Sequence, residues 1–459
     1  MTNLADALSK AGVAASLSLA ACASGEGHTA GALDGQDPSV RAASDVRTIV
    51  AAARSLEGTS HDYDPLLQAT RNARFVLLGE ATHGTHEFYR ERARISLRLV
   101  REQGFRAIVI EGDWPDADRV NRYVRGLGND SSAQAALSDF TDFPQWMWRN
   151  AEFRDFVEAL RAHNATLPFA QRVGVYGMDV YNLFAAADAV VAYLTAADPP
   201  AADRARAQYR CFSRFRSDAA RYGAAARAPA RSCARQAAAV LAELRARPNP
   251  ADPIAAEALF SAVRSAASVT GAEEYYRTAY GGTSAWNVRD RRMAATVSEI
   301  ADHTASSSAV PGKVIIWAHN SHVGDARATD MPLRGELNLG QLLRERFGSA
   351  AFLLGFTTYE GTVIAAERWG GPHRERTLRT ALPDSYAGVF HGAQLGDALI
   401  LLPNGSDVAS ALASPRRKRE VGVIYAPATE LQSHYTWTRL SGQFDAVVHL
   451  DRTRAVTPL

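Results

Sequence analysis

Only three cysteines occur in 459 residues, Cys22, Cys211 and Cys233, so the chain offers neither a disulfide-dense scaffold nor a cysteine-built zinc site. No apolar run reaches the roughly 18 residues of a membrane-spanning helix. Neither sign of charge dominates: 51 Lys and Arg stand against 49 Asp and Glu, a formal charge of +2. The single dense basic run is Arg416-Arg417-Lys418-Arg419, which argues against nucleic acid as the main partner. Lying between Pro415 and a strand-like Val421 to Tyr425, it reads as a solvated loop. Also missing are the Gly-x-Ser-x-Gly elbow of serine hydrolases, a Walker loop, a dinucleotide Gly-x-Gly-x-x-Gly and the zinc-helix pattern His-Glu-x-x-His. No repeat of fixed period stands out. What these absences leave open is attack by water on an electrophile, with a histidine as base and no cofactor.

What is present suits a globular protein with a substantial core: 47% hydrophobic and 22% charged residues. At the N-terminus, Lys10 is followed by an apolar stretch, Ala11 to Ala21, that ends Leu19-Ala20-Ala21-Cys22. This resembles a bacterial lipoprotein signal peptide over residues 1–22, with Cys22 as the lipidated residue and the cell envelope as destination. Asp6 and a single lysine make a poor positive flank, and a cytoplasmic protein with an ordinary leader is the alternative. Residues 23–45 are rich in Gly, Ala, Ser, Asp and Thr and read as a linker. A Cys211–Cys233 disulfide is permitted on export; in a reducing compartment the two are buried thiols.

From residue 46 onward strands and helices alternate. Strand patterns at Phe75 to Leu78, Ala107 to Glu111, Val173 to Met178 and Val314 to Ala318 are interleaved with helices at Glu87 to Gln103, Pro115 to Arg125, Glu152 to His163 and Leu183 to Leu194. The expected fold is α/β, a mainly parallel sheet with flanking helices. Further strands are expected at Phe352 to Phe356, Thr362 to Ala366, Ala398 to Leu402, Val421 to Tyr425 and Ala446 to Leu450, with a helix at Leu339 to Phe347. Between about 201 and 303 strand patterns vanish and Ala- and Arg-rich helices take over, a large helical insert.

Three of the strands end in chemistry. Gly79-Glu80-Ala81-Thr82-His83-Gly84 follows the first, Glu111-Gly112-Asp113 closes the second, and His319-Asn320-Ser321-His322 follows the fourth. Open α/β sheets bind ligands at these carboxyl ends. A histidine beside a carboxylate suits a general base, because an unperturbed imidazole titrates near pH ~6.5; a turn histidine that only bonds backbone is the plainer reading of His83. On the following helix either Arg92 or Arg94 could fork onto the carboxylates. His319 and His322, with His83 and Glu111, could instead ligate a divalent ion.

Five segments together resemble the erythromycin esterase family: Gly79 to Gly84, Glu111-Gly112-Asp113-Trp114-Pro115, Trp146-Met147-Trp148-Arg149-Asn150, Trp286-Asn287-Val288-Arg289-Asp290, and Trp317-Ala318-His319-Asn320-Ser321-His322. The resemblance implies hydrolysis of the macrolactone ester of certain macrolides, hence antibiotic resistance, or else a homologue with a different natural substrate. It implies His83 as the base that activates water, Glu80 and Glu111 as an acidic wall, and Arg92 and His319 as further catalytic lining. His322, Trp114, Trp148 and Tyr276 are candidate substrate contacts, with Trp146, Tyr275 and Trp286 as further walls, although large aromatics are more often core. A large pocket under the insert would suit a bulky ligand. The expected partner is a small-molecule ester. Two competing readings are a metal-dependent hydrolase of another substrate and a noncatalytic binding protein of the envelope.

Overall fold

The computed structural model describes residues 38–459, apart from 217, 281–284 and 306–310. The leader and Cys22 lie outside the described residues. In chain order the strands are β1 (Arg54–Ser55), β2 (Phe75–Leu78), β3 (Ala107–Asp113), β4 (Gly174–Asp179), β5 (Val314–Trp317), β6 (Ala351–Ala366), β7 (His373–Leu378), β8 (Ala398–Leu401), β9 (Arg416–Arg419), β10 (Tyr435–Thr438) and β11 (Ala446–Thr453). Nine form one sheet in the order β1-β8-β11-β6-β2-β5-β3-β4, with β7 added on β6. The run from β11 to β4 is parallel, while β1, β7 and β8 pair antiparallel.

Alternation along the strands builds two cores. Val76, Leu78, Ile108, Ile110, Ile315 and Trp317 face one helical layer, and Phe75, Leu77, Val109, Val314 and Ile316 face the other. All are buried, as a parallel sheet covered on both sides requires. Each large side chain removed from water contributes about 1.5–3 kcal/mol. The helix His86–Gln103 lays Phe88, Arg92, Ile95 and Leu99 against the first face and stops at Gly104, whose φ of 71° a glycine adopts without strain.

The insert has a core of its own, including Leu183, Val190, Phe212, Val240 and Val269. Its helices begin at Leu183, earlier than residue 201, because the helix Leu183–Ala197 packs on the long Pro253–Ala279 rather than on the sheet alone. Asp198 and Asp252 cap the helices that follow them, each with a proline in the first turn. Cys211 and Cys233 are joined in a disulfide within this unit.

Four expectations are corrected. The helix at the domain start begins at Pro38, so the linker's last residues are helical. The segments at 352–356 and 362–366 form one long strand, β6, since β11 pairs with its first part and on through Gly361 and β7 pairs with the rest. Val421 to Tyr425 contributes only bridges, Thr82 to Val421 and Ala366 to Ile424. The basic tetrad is not a solvated loop but β9, paired with β10. Lys418 and Arg419 are buried, which the pairing of Lys418 with Glu420 and of Arg419 with the Thr358 and Tyr359 carbonyls makes tolerable.

Candidate active site

The carboxyl ends of β2, β5, β3 and β4 lie side by side. Just beyond β2, a Cβ on Gly79 would fall 2.1 Å from Asn320 Oδ1, so only glycine permits this approach. Asn320 donates its backbone N–H to the Glu80 carbonyl at 2.9 Å and brackets the Phe356 peptide with its amide, which stitches the turns after β2 and β5 together. Within the first turn, His83 Nδ1 lies 2.8 Å from Glu80 Oε1, and Arg92 Nη2 lies 2.8 Å from Glu80 Oε2. Glu80 and Arg92 are fully buried. The Arg92 guanidinium also lies over the rings of Tyr89 and Trp317, 4.4 and 4.8 Å from their centroids. Arg94 faces away and pairs with Glu91 and Asp62.

β3 shifts register between Ile110 and Asp113, an irregularity that re-aims Glu111. Its Oε1 accepts from Arg289 Nη2 at 2.7 Å and lies 3.3 Å from His322 Nε2; its Oε2 accepts the His319 backbone N–H at 2.8 Å. Burial opposes the Glu111 charge, but His322, Arg289 and His83 outweigh it and hold the carboxyl below the ordinary range. Arg289 also forks onto Asp179 at the end of β4, at 2.8 and 2.6 Å. His322 Nδ1 lies 2.9 Å from Asp290 Oδ1, and its ring stacks on Trp286 at 4.4 Å. Burial works against charge on His322, yet Asp290 and Glu111 raise its pKa above that of an ordinary histidine.

The His319 ring centroid is 4.9 Å from that of His83. Its Nδ1 lies 2.8 Å from Ser321 Oγ and accepts the Ser321 backbone N–H at 3.3 Å, while Nε2 is buried with no partner among the described residues. Burial first, then His83, depresses its pKa to about 3, so His319 is neutral. The chain leaving β9 runs past this pair: His83 donates its backbone N–H to Val421, and Val421 donates to Ala81. Glu420, held by Lys418 Nζ at 2.5 Å and by Thr436 Oγ1, stands near enough to His319 to oppose that depression.

The structure thus brings His83, Glu80, Arg92, Glu111, His319 and His322 into one cluster. The expected aromatic contacts fare differently. Trp114 is core: it is 2% exposed, stacks on Tyr176 and donates to Ser261 Oγ. Trp148 is also buried and donates to the Glu111 carbonyl at 2.9 Å, so it supports the strand end from behind. Trp146 is buried in the same layer. Tyr276 is half-buried and donates to the Tyr181 carbonyl, Tyr275 meets the Tyr181 ring edge-on, and Arg289 lies over that ring. Asp113 accepts from the Tyr181 and Asn182 backbone N–H groups; burial, Asp179 and Asp116 push its carboxyl well above the usual range.

Asp179, Arg289, Asp290, Ser321, Lys418 and Glu420 carried no assigned role in the sequence reading. Arg289 left a signal: it falls on the buried stripe with Met293, Val297 and Ile300, where a charge requires a partner. Lys418 and Glu420 left none, because a tetrad of cations reads as surface. Among the described residues no three His, Cys, Asp or Glu side chains are set to share an ion. The expected ligands instead engage one another, Arg289, Asp290 and Ser321. Beneath the insert, among the described residues, the cavity beside Asp179, Val180, Arg264 and Thr296 holds about 60 Å³, against the roughly 300–1,000 Å³ of ordinary ligand pockets, so this cavity is not the large pocket expected there.

The sequence profile for erythromycin esterase matches residues 100–453. This chain belongs to the erythromycin esterase family. Family membership implies a hydrolase of ester bonds with a small-molecule substrate. Glu111, Arg289, Asp290, His319, His322 and Glu420 lie inside the matched residues; Glu80, His83 and Arg92 precede them. Among solved structures, a succinoglycan biosynthesis protein superposes with a TM-score of 0.74 at 20% identity, covering 92% of this chain and 100% of its own. A Bacillus cereus protein does so at 0.73 and 20% identity, covering 91% and 99%. A mutant of the erythromycin esterase EreC in its open conformation matches at 0.60 and 20% identity, covering 88% and 96%. At such identity these three share the fold.

Proposed function

We propose that this family member opens the macrolactone ring of macrolide antibiotics by hydrolysis, with water activated at His83 Nε2. One observation carries the reading: Glu80, itself held by Arg92, occupies His83 Nδ1 and so fixes the tautomer with a bare Nε2. Water gives a proton to Nε2 as its oxygen bonds the acyl carbon; the proton then passes to the departing alkoxide when the carbon–oxygen ester bond breaks. Glu111, already paired with Arg289 and the His319 N–H, serves as a fixed negative wall rather than a second base. A substrate of macrolide size requires the walls around His83 to part, because His83 is only 6% exposed.

Incubation with a fourteen-membered macrolide, followed by mass spectrometry, tests the substrate. The expected product is heavier by one water. An unchanged macrolide with folded protein removes the resistance reading and leaves hydrolysis of another ester standing. Cleavage before Cys22 and lipidation of its thiol, with location in the cell envelope, belong to the same proposal. The Cys211–Cys233 disulfide supports an oxidising compartment. Intact-mass analysis of membrane fractions checks it, and a soluble chain starting at Met1 overturns it.

A further inference from the structure

Each of three cations of the cluster is paired with a carboxylate. Arg92 pairs with Glu80 through Nη2 and lies over the Tyr89 and Trp317 rings, its Nε and Nη1 having no hydrogen-bond partner among the described residues; Arg289 is held by Glu111 and Asp179, and Lys418 by Glu420 and Gln443. A guanidinium or ammonium so neutralised is poorly placed to receive the charge that builds on a carbonyl oxygen when water attacks. That charge needs a donor waiting without a partner, since a preorganised donor in a dry site stabilises it most.

His319 supplies one. Two donors, the Ser321 hydroxyl and the Ser321 backbone N–H, converge on its Nδ1. A backbone N–H can only donate, so Nδ1 is the bare nitrogen and, in a neutral ring, Nε2 carries the hydrogen. That Nε2–H is buried and has no partner among the described residues, although an unmet buried donor costs about 1–3 kcal/mol. The ring is anchored, not free to turn away: its own backbone N–H is tied to Glu111, and its side chain caps the helix Asn320–Val323. It faces the proposed base, with ring centroids 4.9 Å apart.

We infer that His319 Nε2–H is the oxyanion donor of this site, hydrogen-bonding the acyl oxygen as His83-activated water adds to the adjoining carbon. The inference rests on the hydrolytic reading above. As the water oxygen bonds to carbon, the carbonyl π pair moves onto oxygen and is met by Nε2–H, which keeps its proton throughout. On collapse the pair returns, the ester carbon–oxygen bond breaks, and His83 protonates the alkoxide. Ester and water thus become acid and alcohol. His319 is neither base nor acid in this sequence, and Ser321 is its positioning residue.

The test joins spectroscopy to kinetics. In histidine ¹⁵N-labelled protein, two-bond proton–nitrogen spectra, assigned with His319→Gln and Ser321→Ala, should show a protonated Nε2 and a bare Nδ1 that stay so across about pH 6 to 8. With p-nitrophenyl butyrate, His319→Ala should lower kcat by about a hundredfold or more with KM little changed. It should weaken inhibition by the matching phosphonate by a similar factor. A bare Nε2, or an alanine variant with wild-type kcat, overturns the assignment while leaving His83 hydrolysis intact. Should the alanine variant not fold, the tautomer in the wild-type protein decides. Wild-type protein inert toward both this ester and the macrolide defeats the hydrolase reading, and the donor role with it.

Discussion

Arg289 and Glu111 are 178 positions apart in the chain and 2.7 Å apart in the fold. One sits on the last long helix of the insert, the other at the end of β3, so their contact ties the insert to the sheet at the site itself. The same guanidinium holds Asp179, and it donates from a third nitrogen toward His322 at 2.7 Å.

Replacing Arg289 by Met should therefore cost stability before it costs chemistry. Two buried carboxylates would lose their shared guanidinium, a change worth about 3–5 kcal/mol when one side of a buried pair is removed, although Glu111 keeps the His319 N–H and Asp179 the Val180 N–H. Arg289→Lys keeps the charge but not the fork and should fall between. Urea unfolding of the three proteins measures the difference; a Met variant as stable as wild type would show that the pair carries no net energy.

His83→Gln should lower ester turnover by at least roughly a hundredfold, the usual cost of losing a general base. The fold should persist, because the turn backbone is held by Val421 and Asn320 rather than by the imidazole. Steady-state kinetics alongside thermal unfolding separates the two effects. Near-wild-type turnover would remove the base assignment, whereas loss of cooperative unfolding would make His83 a structural turn residue.

The sheet and its main order of elements were readable because runs such as Phe75 to Leu78 and Val314 to Trp317 carry their own signal: short, apolar, bounded by turns. The cluster of Glu80, His83 and Glu111 was readable for the same reason, since chemistry at parallel strand ends converges once the strands are adjacent. Arg92 and Arg94 could not be told apart, because the choice depends on which helix face meets the sheet; Phe88 and Ile95 place Arg92 inside. The burial of Lys418 was beyond reach, being decided by Glu420 and by Gln443, a residue 25 positions away that only the fold brings near. Trp114 and Trp148 share a composition with ligand walls and differ only in what covers them.

Two buried groups near the site should tilt stability with pH in opposite directions. In the folded protein the Asp116 carboxyl is pushed up from 3.8 to about 7, by burial first and then by Asp142 and Asp139. Between those values the folded state holds a proton that the unfolded chain has lost, so stability falls as pH rises through the window. His319 runs the other way. Its pKa drops from 6.5 to about 3, so below pH 6.5 the unfolded chain takes up a proton the folded state refuses, and stability is lost as pH falls. Where the windows overlap the slopes oppose. Relative to wild type, the slope of the denaturation midpoint against pH should accordingly become more positive in Asp116→Asn and more negative in His319→Gln; equal slopes in both variants would contradict the assignments.

Exhaustive chelation should leave ester turnover unchanged. Glu111 and His322 Nδ1 already have protein partners at 2.7 and 2.9 Å, and among the described residues no three such side chains are set to share an ion with the His83 and His319 rings. Activity measured before and after chelator, with back-addition of zinc, magnesium or manganese, checks this. Full loss restored only by one of these ions would favour the metal-dependent reading.

Gly84 offers the sharpest test of how tightly the turn that carries His83 is held. A Cβ there would lie 2.1 Å from the Ile364 carbonyl oxygen and 2.8 Å from its nitrogen. Both are backbone atoms of β6, and they cannot swing aside as a side-chain tip could. Gly84 also accepts the Ile364 N–H and the Val456 N–H, so a displacement loosens two contacts at once. Gly84→Ala should therefore destabilise by about 1–3 kcal/mol, as overpacking does, and should lower turnover as well by shifting His83, its immediate neighbour. Gly104→Ala serves as the control: it lies far from any clash, and the strain of its left-handed φ should cost about 1 kcal/mol or more with kcat unchanged. If the two variants lose stability equally and both keep full kcat, the close approach of β6 plays no part in holding His83 as the proposed base.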